Sequence, residues 1–208
     1  MLVLQSYLND PCGTASLPYW KQKGIVVPDS MRIVHDRDFS NDMLRDYSDE
    51  PYFRLYHDLQ DIPPITAEGV EIVSEAASID EFVRLINASY EDLRVSAEQM
   101  ESYQRTPVFC PDLWLLLKEK ETGTILGGGI ADYDREIGEL ILEWIQVLPQ
   151  YRQRGYGQVI VNGLLAKMQG VARFATVSGK VNNPTNPEGL YRRCGFTGND
   201  VWHILTKR

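Results

Sequence analysis

The chain has 208 residues, 43% of them apolar and 24% charged, with a net charge of −8 and three cysteines. These proportions are those of a soluble globular protein. The negative balance counts against nucleic acid as the main partner, because a phosphate-tracking surface needs an excess of Lys and Arg. No apolar run approaches the length of a membrane span, and Met1–Ser6 has neither the basic flank nor the cleavage site of a secretory signal. Cys12, Cys110 and Cys194 are far apart and read as reduced thiols in a cytoplasm. His35, His57 and His203 are equally scattered, so no metal-ligand cluster is expected. The negative charge suits a cationic substrate.

Met1–Leu8 reads as a short helix or strand ending near Asn9-Asp10-Pro11. Thr14–Lys21 reads as one helical stretch with Ser16 as its cap and Pro18 in its first turn. Met31–His35 and Tyr52–His57 have strand character, and the acidic segment Asp36–Glu50 between them reads as a solvated face. Ile62-Pro63-Pro64 reads as a linker. Residues 1–69 are too few to promise an independent core, so they are expected to form an extension packing on a main domain of residues 70–208.

From Val70 the pattern tightens. Val70–Val73 alternates as a strand. Ser78 and Glu81 have the spacing of a capping box, and Phe82, Leu85 and Ile86 share one face of the helix that follows. A second helix is expected over Ser96–Tyr103. Strands Asp112–Lys118 and Thr124–Tyr133 flank the turn Lys120–Gly123, and Ile137–Leu148 is the next strand. Val161, Leu164, Leu165 and Met168 then recur at helical spacing. Phe174–Ser178 is another strand. Asn186 caps a short helix with Pro187 at its first position, closed at Gly195. Val201–Leu205 is the last strand.

Between the apolar run Leu140–Leu148 and its helix lies Tyr151-Arg152-Gln153-Arg154-Gly155-Tyr156-Gly157-Gln158. Glycines at a strand-to-helix junction leave backbone N–H groups unpaired at the positive end of a helix dipole, which is an anion site. A dinucleotide fingerprint fails here at Ile160, and a Walker-type loop fails at Gln158-Val159.

Arg152, Gly155 and Gly157 fit the Arg/Gln-x-x-Gly-x-Gly/Ala pattern and so resemble the acetyl-CoA pyrophosphate loop of the GNAT superfamily of N-acetyltransferases. Downstream, Leu190-Tyr191-Arg192-Arg193-Cys194-Gly195-Phe196 is similar to the family's Leu-Tyr-x-x-x-Gly-Phe signature. Upstream of it, Asn183 or Asn186 stands in for the family asparagine, with Pro184 at the usual spacing. The resemblance implies an α/β fold of α+β type over residues 70–208. Its mixed, mostly antiparallel sheet would have six to seven strands, splayed between the fourth and fifth, with helices on both faces.

The resemblance further implies acetyl-CoA as co-substrate, no metal, and direct transfer of the acetyl group to a primary amine in a ternary complex. The acceptor would be a small molecule or peptide, without nucleic acid or membrane, and a homodimer is compatible with it. Backbone groups of Ile145, Gln146 and Val147 would pair with pantetheine, an N–H near Val147 polarising the thioester carbonyl. Arg152, Gln153, Arg154, Gly155, Tyr156 and Gly157 would hold the pyrophosphate, with Asn186 nearby. Tyr191 would be the general acid, since a phenol suits a thiolate leaving group.

Glu143, the one carboxylate inside the apolar run, is the expected base, because apolar surroundings make a carboxylate hold a proton more readily. Glu139 is its reserve. The competing reading keeps the fold without catalysis, as an acyl-CoA-binding sensor or accessory domain. Cys194 reads as a buried apolar residue, not a nucleophile.

Overall fold

The computed structural model describes residues 3–64, 67–90 and 93–208. In chain order the elements are α1 (Leu4–Asn9), α2 (Tyr19–Gln22), β1 (Met31–His35), β2 (Tyr47–His57), β3 (Val70–Ser74), α3 (Ile79–Ser89) and α4 (Ala97–Gln104). They continue with β4 (Trp114–Glu119), β5 (Ile125–Asp134), β6 (Glu139–Val147), α5 (Tyr156–Met168), β7 (Phe174–Lys180), α6 (Pro187–Arg193) and β8 (Thr197–Lys207). Residues group into two compact units, 58–175 with 193–195, and 1–57 with 176–192 and 196–208. The fold is the expected mixture of helices and mostly antiparallel strands, with eight strands among the described residues. Six of them, β3 to β8, lie in residues 70–208, within the expected six to seven, and residues 1–57 contribute the other two.

In the unit built on residues 58–175 the strand order is β6-β5-β4-β3. Trp114–Leu117 are buried on both faces of the sheet, which is why β4 reads as an unbroken apolar run instead of an alternating one. Helices cover both faces, and the Gly127-Gly128-Gly129 run of β5 sets how closely they approach. A Cβ on Gly128 would stand 2.8 Å from Leu85 Cδ2 of α3, and one on Gly129 would stand 2.6 Å from Ile160 Cγ2 of α5. Side chains at these positions would push a helix off the sheet. Phe82, Leu85, Ile86, Met100, Trp114, Leu116 and Ile130 form the core under α3 and α4. Truncating one such residue to Ala would cost about 2–5 kcal/mol.

The helix starts differ from expectation in detail. Ser78 does precede α3, but its hydroxyl donates to Glu75 at 3.1 Å and makes no cap bond. Lys118 holds Glu75 in turn, at 2.6 Å. The complete capping box belongs to α4, where Ser96 Oγ accepts from the Gln99 N–H and Gln99 Oε1 accepts from the Ser96 N–H.

In the unit built on residues 1–57 and the C-terminal residues, the strand order is β1-β8-β2-β7. Both N-terminal strands therefore flank β8, each antiparallel to it. Strand β2 begins at Tyr47, earlier than the sequence suggests, because its polar first half pairs with Val201–Lys207. Arg54 is buried there and donates to the Tyr7 hydroxyl at 2.8 Å, Ser178 Oγ at 3.2 Å and the Pro11 carbonyl at 3.3 Å. Asp36 and Asp49, read as part of a solvated acidic face, bracket the His203 ring at 3.2 and 2.9 Å, Asp36 remaining exposed and Asp49 half-buried. Helix α2 is one turn only, starting after Pro18, which is extended at ψ 150. Leu17, as the residue before proline, is pushed out of helical conformation, so Ser16 caps nothing. The Met1–Leu8 segment is helical from Leu4; its first two residues lie outside the described ones.

Candidate active site

Strand β6 ends where the glycine loop begins, and its register with β5 decides which groups it offers. Leu148 N–H donates to Leu126 O at 3.0 Å. Hydrogen-bonded and non-bonded pairs alternate along an antiparallel ladder, so Gln146↔Gly128 and Trp144↔Ile130 are the next bonded pairs. The N–H and C=O groups of Ile145 and Val147 therefore point away from β5, while the Gln146 backbone is tied to β5.

The register then slips by one. Ile130 faces Trp144 and Ala131 faces Leu142, which leaves Glu143 as the extra residue of a β-bulge. A bulge bends its strand and re-aims the bulged side chain. Glu143 is half-buried at that bend. Glu139, fully buried beside the β5–β6 turn opposite Asp134, lies eight residues from Val147, about 27 Å along the strand. That distance separates it from anything held at the loop.

The loop is shaped by two left-handed residues, Gln153 at φ 62 and Gly155 at φ 80. Gly155 is the N-cap of α5 and has no side chain to satisfy the helix start. Its carbonyl accepts from the N–H of Gln158 at 3.0 Å and of Val159 at 3.3 Å. Among the described residues no backbone acceptor takes the N–H of Gly155, Tyr156 or Gly157. No heavy atom lies within 4 Å of where a Gly155 Cβ would be. Unpaired N–H groups, open space and the positive end of a 13-residue helix together fit a pyrophosphate.

Arg152 also has partners within the chain. Its guanidinium donates to Val147 O at 3.2 Å and to Ser89 O at 2.8 Å, fastening the loop to the end of β6 and to the last turn of α3. Five N–H donors leave it some for an anion as well. Arg154 is exposed and stacks over the Tyr151 ring, 5.7 Å from its centroid.

Tyr90, at the C-terminus of α3, was not legible as a site residue. Its hydroxyl is 3.5 Å from Ile145 O, its ring meets Trp144 edge-on at 6.1 Å, and burial raises its pKa, with the Arg152 charge opposing. Both outward carbonyls of β6 are thus met by side chains, Ile145 by Tyr90 and Val147 by Arg152.

In the other unit, Tyr191 lies on α6, 7% exposed, with its ring 5.8 Å from Phe196 and 6.2 Å from Phe53. Asn186 caps that helix, its Oδ1 accepting from the Gly189 N–H at 3.0 Å, while Asn183 Oδ1 accepts from Thr185. Asn186 therefore holds the helix carrying Tyr191. Burial pushes the Cys194 thiol up to about 11, which suits an inert core residue and not a nucleophile. No group of His, Cys, Asp and Glu among the described residues is arranged to hold a metal, and no described helix is long and apolar enough to cross a membrane.

A family model described as an acetyltransferase (GNAT) domain matches residues 112–198, a span that takes in β6, the loop and Tyr191. The fold is similar to a GCN5-related N-acetyltransferase from Sphaerobacter thermophilus, with a TM-score of 0.67 at 19% identity over 90% of this chain. The match covers 63% of that protein, so this chain spans less than two thirds of its length. It is also similar to an acetyltransferase from the GNAT family from Colwellia psychrerythraea, with a TM-score of 0.62 at 12% identity, covering 90% of this chain and 69% of that one. No curated protein matches the sequence. At these identities the structural likeness is one of fold: the chain has a GNAT-like fold, and its residues 112–198 match the acetyltransferase (GNAT) domain model.

Proposed function

We propose that this chain transfers an acetyl group from acetyl-CoA to a primary amine, directly and within a ternary complex. The observation that carries the reading is the outward-facing backbone of Ile145 and Val147, leading from a β-bulge to a loop with unpaired N–H groups. That backbone complements an extended amide-bearing arm, and the loop complements the phosphates at its end. The co-substrate supplies an activated thioester carbonyl.

Everything else is assigned to the chain. The loop Arg152–Gly157 holds the phosphates, and binding there positions the reacting end further back along β6. The Ile145 N–H, nearer the bulge than Val147, donates to the carbonyl oxygen as negative charge develops on it. Glu143 takes a proton from the ammonium form of the acceptor, directly or through water, leaving a neutral amine to attack. Tyr191 gives its phenolic proton to the departing sulfur. The attacking nitrogen then loses its second proton, which restores the Tyr191 phenol through solvent, and Glu143 releases its own, so one proton is set free per turnover. Cys12, Cys110 and Cys194 form no disulfide among the described residues, which fits a reducing cytoplasm.

Thiol release from acetyl-CoA, followed colorimetrically against a panel of alkylamines, amino acids and short peptides, tests this reading. Turnover with at least one amine is expected. Tight acetyl-CoA binding with no turnover on any amine would favour an acyl-CoA-binding sensor and overturn the catalytic assignment.

A further inference from the structure

Gln146 is 4% exposed, and among the described residues neither its side-chain oxygen nor its side-chain nitrogen has a hydrogen-bond partner. Its backbone is tied to Gly128, so it projects to the face on which a Gly128 Cβ would meet Leu85 of α3. Trp144 and Leu148, two residues to either side, pack on that same face against the core under α3. Buried polar atoms are almost always satisfied, and an unmet pair is destabilising. Leucine would fill the position at no such cost. A buried carboxamide between two apolar residues, one step from the outward-facing Ile145 and Val147, is therefore unfavourable to the fold by itself.

We propose that Gln146 is a recognition residue for an amide-bearing chain laid along β6. Its Nε2–H donates to a ligand carbonyl and its Oε1 accepts from a ligand N–H, which satisfies both unmet atoms at once. An extended chain suits this because each of its residues presents an N–H and a C=O on the same side. Two ligands share that chemistry: the pantetheine arm of the acyl donor, and a peptide-like acceptor. The proposal rests on the acyl-transfer reading and narrows it, since the second source would make the acceptor a peptide and not a simple alkylamine.

The test uses the full chain and its Gln146→Leu variant. Melting temperature is measured without ligand, and affinity is measured for CoA, for adenosine 3′,5′-bisphosphate (which has no amides) and for a set of dipeptides. The variant should melt at or above the parent, because two unmet polar atoms are removed. A roughly tenfold loss of CoA affinity with unchanged bisphosphate affinity would place the amide in the donor. The same loss for a dipeptide with CoA unchanged would place it in the acceptor. If CoA and every dipeptide bind the variant within about twofold of the parent, Gln146 is a structural or water-bound amide and the proposal is overturned. Parent protein that fails to bind CoA at all would remove the acyl-transfer reading, and this inference with it; parent binding with an unmoved variant removes the Gln146 assignment alone.

Discussion

Gly155 separates backbone strain from ligand space, and two substitutions there test the loop. At φ 80 and ψ −3 it is in the left-handed region, where an L-residue costs about 1–2 kcal/mol. For a chain of this size each kcal/mol lowers the melting temperature by roughly 2–4 °C. Gly155→Ala and Gly155→Val should therefore both lose roughly 2–8 °C, and by similar amounts, since no heavy atom lies within 4 Å of the added Cβ. CoA affinity should divide them. The Val branches fill the space that a pyrophosphate needs in order to reach the N–H groups of Gly155, Tyr156 and Gly157. Losing one charged hydrogen bond weakens binding by about tenfold to hundredfold. Calorimetry with CoA on all three proteins provides the comparison. A Gly155→Val protein that binds CoA as tightly as the parent would refute the loop as the phosphate site.

Other residues give sharper local tests. Tyr191→Phe keeps the ring contacts with Phe53 and Phe196, so turnover should fall by about 10²–10⁴ with CoA affinity within about twofold; unaltered turnover removes Tyr191 from the chemistry. The Lys118 ammonium, with smaller help from Ser78, holds the Glu75 carboxyl below its usual 4.5. A lowered carboxylate stabilises the fold above its unfolded value and loses that contribution as pH falls through its folded value. The melting-temperature gap between parent and Glu75→Gln should thus be widest near neutrality and close below about pH 4, and a gap constant across pH would contradict the ion-pair account. Cys194, raised to about 11, should resist a thiol reagent at pH 8 in the native protein while half-buried Cys110 reacts. Rapid labelling of Cys194 would show that the α6 terminus opens.

Much of the fold was legible because it depends on local periodicity. Phe82, Leu85 and Ile86 declare the buried face of α3, and Gly155 and Gly195 mark the ends of helices by their need for positive φ. What stayed hidden depends on partners distant in sequence. Ser78 and Glu81 look like a capping box, but Glu75, itself fixed by Lys118 forty-odd residues away, captures the Ser78 hydroxyl. Polar Tyr47–Glu50 does not look like a strand and becomes one only by pairing with β8. The bulge at Glu143 is a mismatch between two strands, so one strand alone announces it only by a carboxylate in an apolar run. Tyr90 looks like an ordinary helix end until its contact with Ile145, 55 residues on, is known.

The central claim is that the Ile145–Val147 end of β6, on its side away from β5, receives the acyl donor. Residue-resolved amide hydrogen exchange with and without acetyl-CoA tests it most directly, because the ladder assigns opposite behaviour to neighbouring residues. On saturation, exchange at Ile145 and Val147 should slow by more than about tenfold as their N–H groups gain acceptors. Gln146, already bonded to β5, should change little. If Ile145 and Val147 exchange at the same rate with and without acetyl-CoA, the donor does not lie along this strand, and the roles given to Glu143 and the loop go with it.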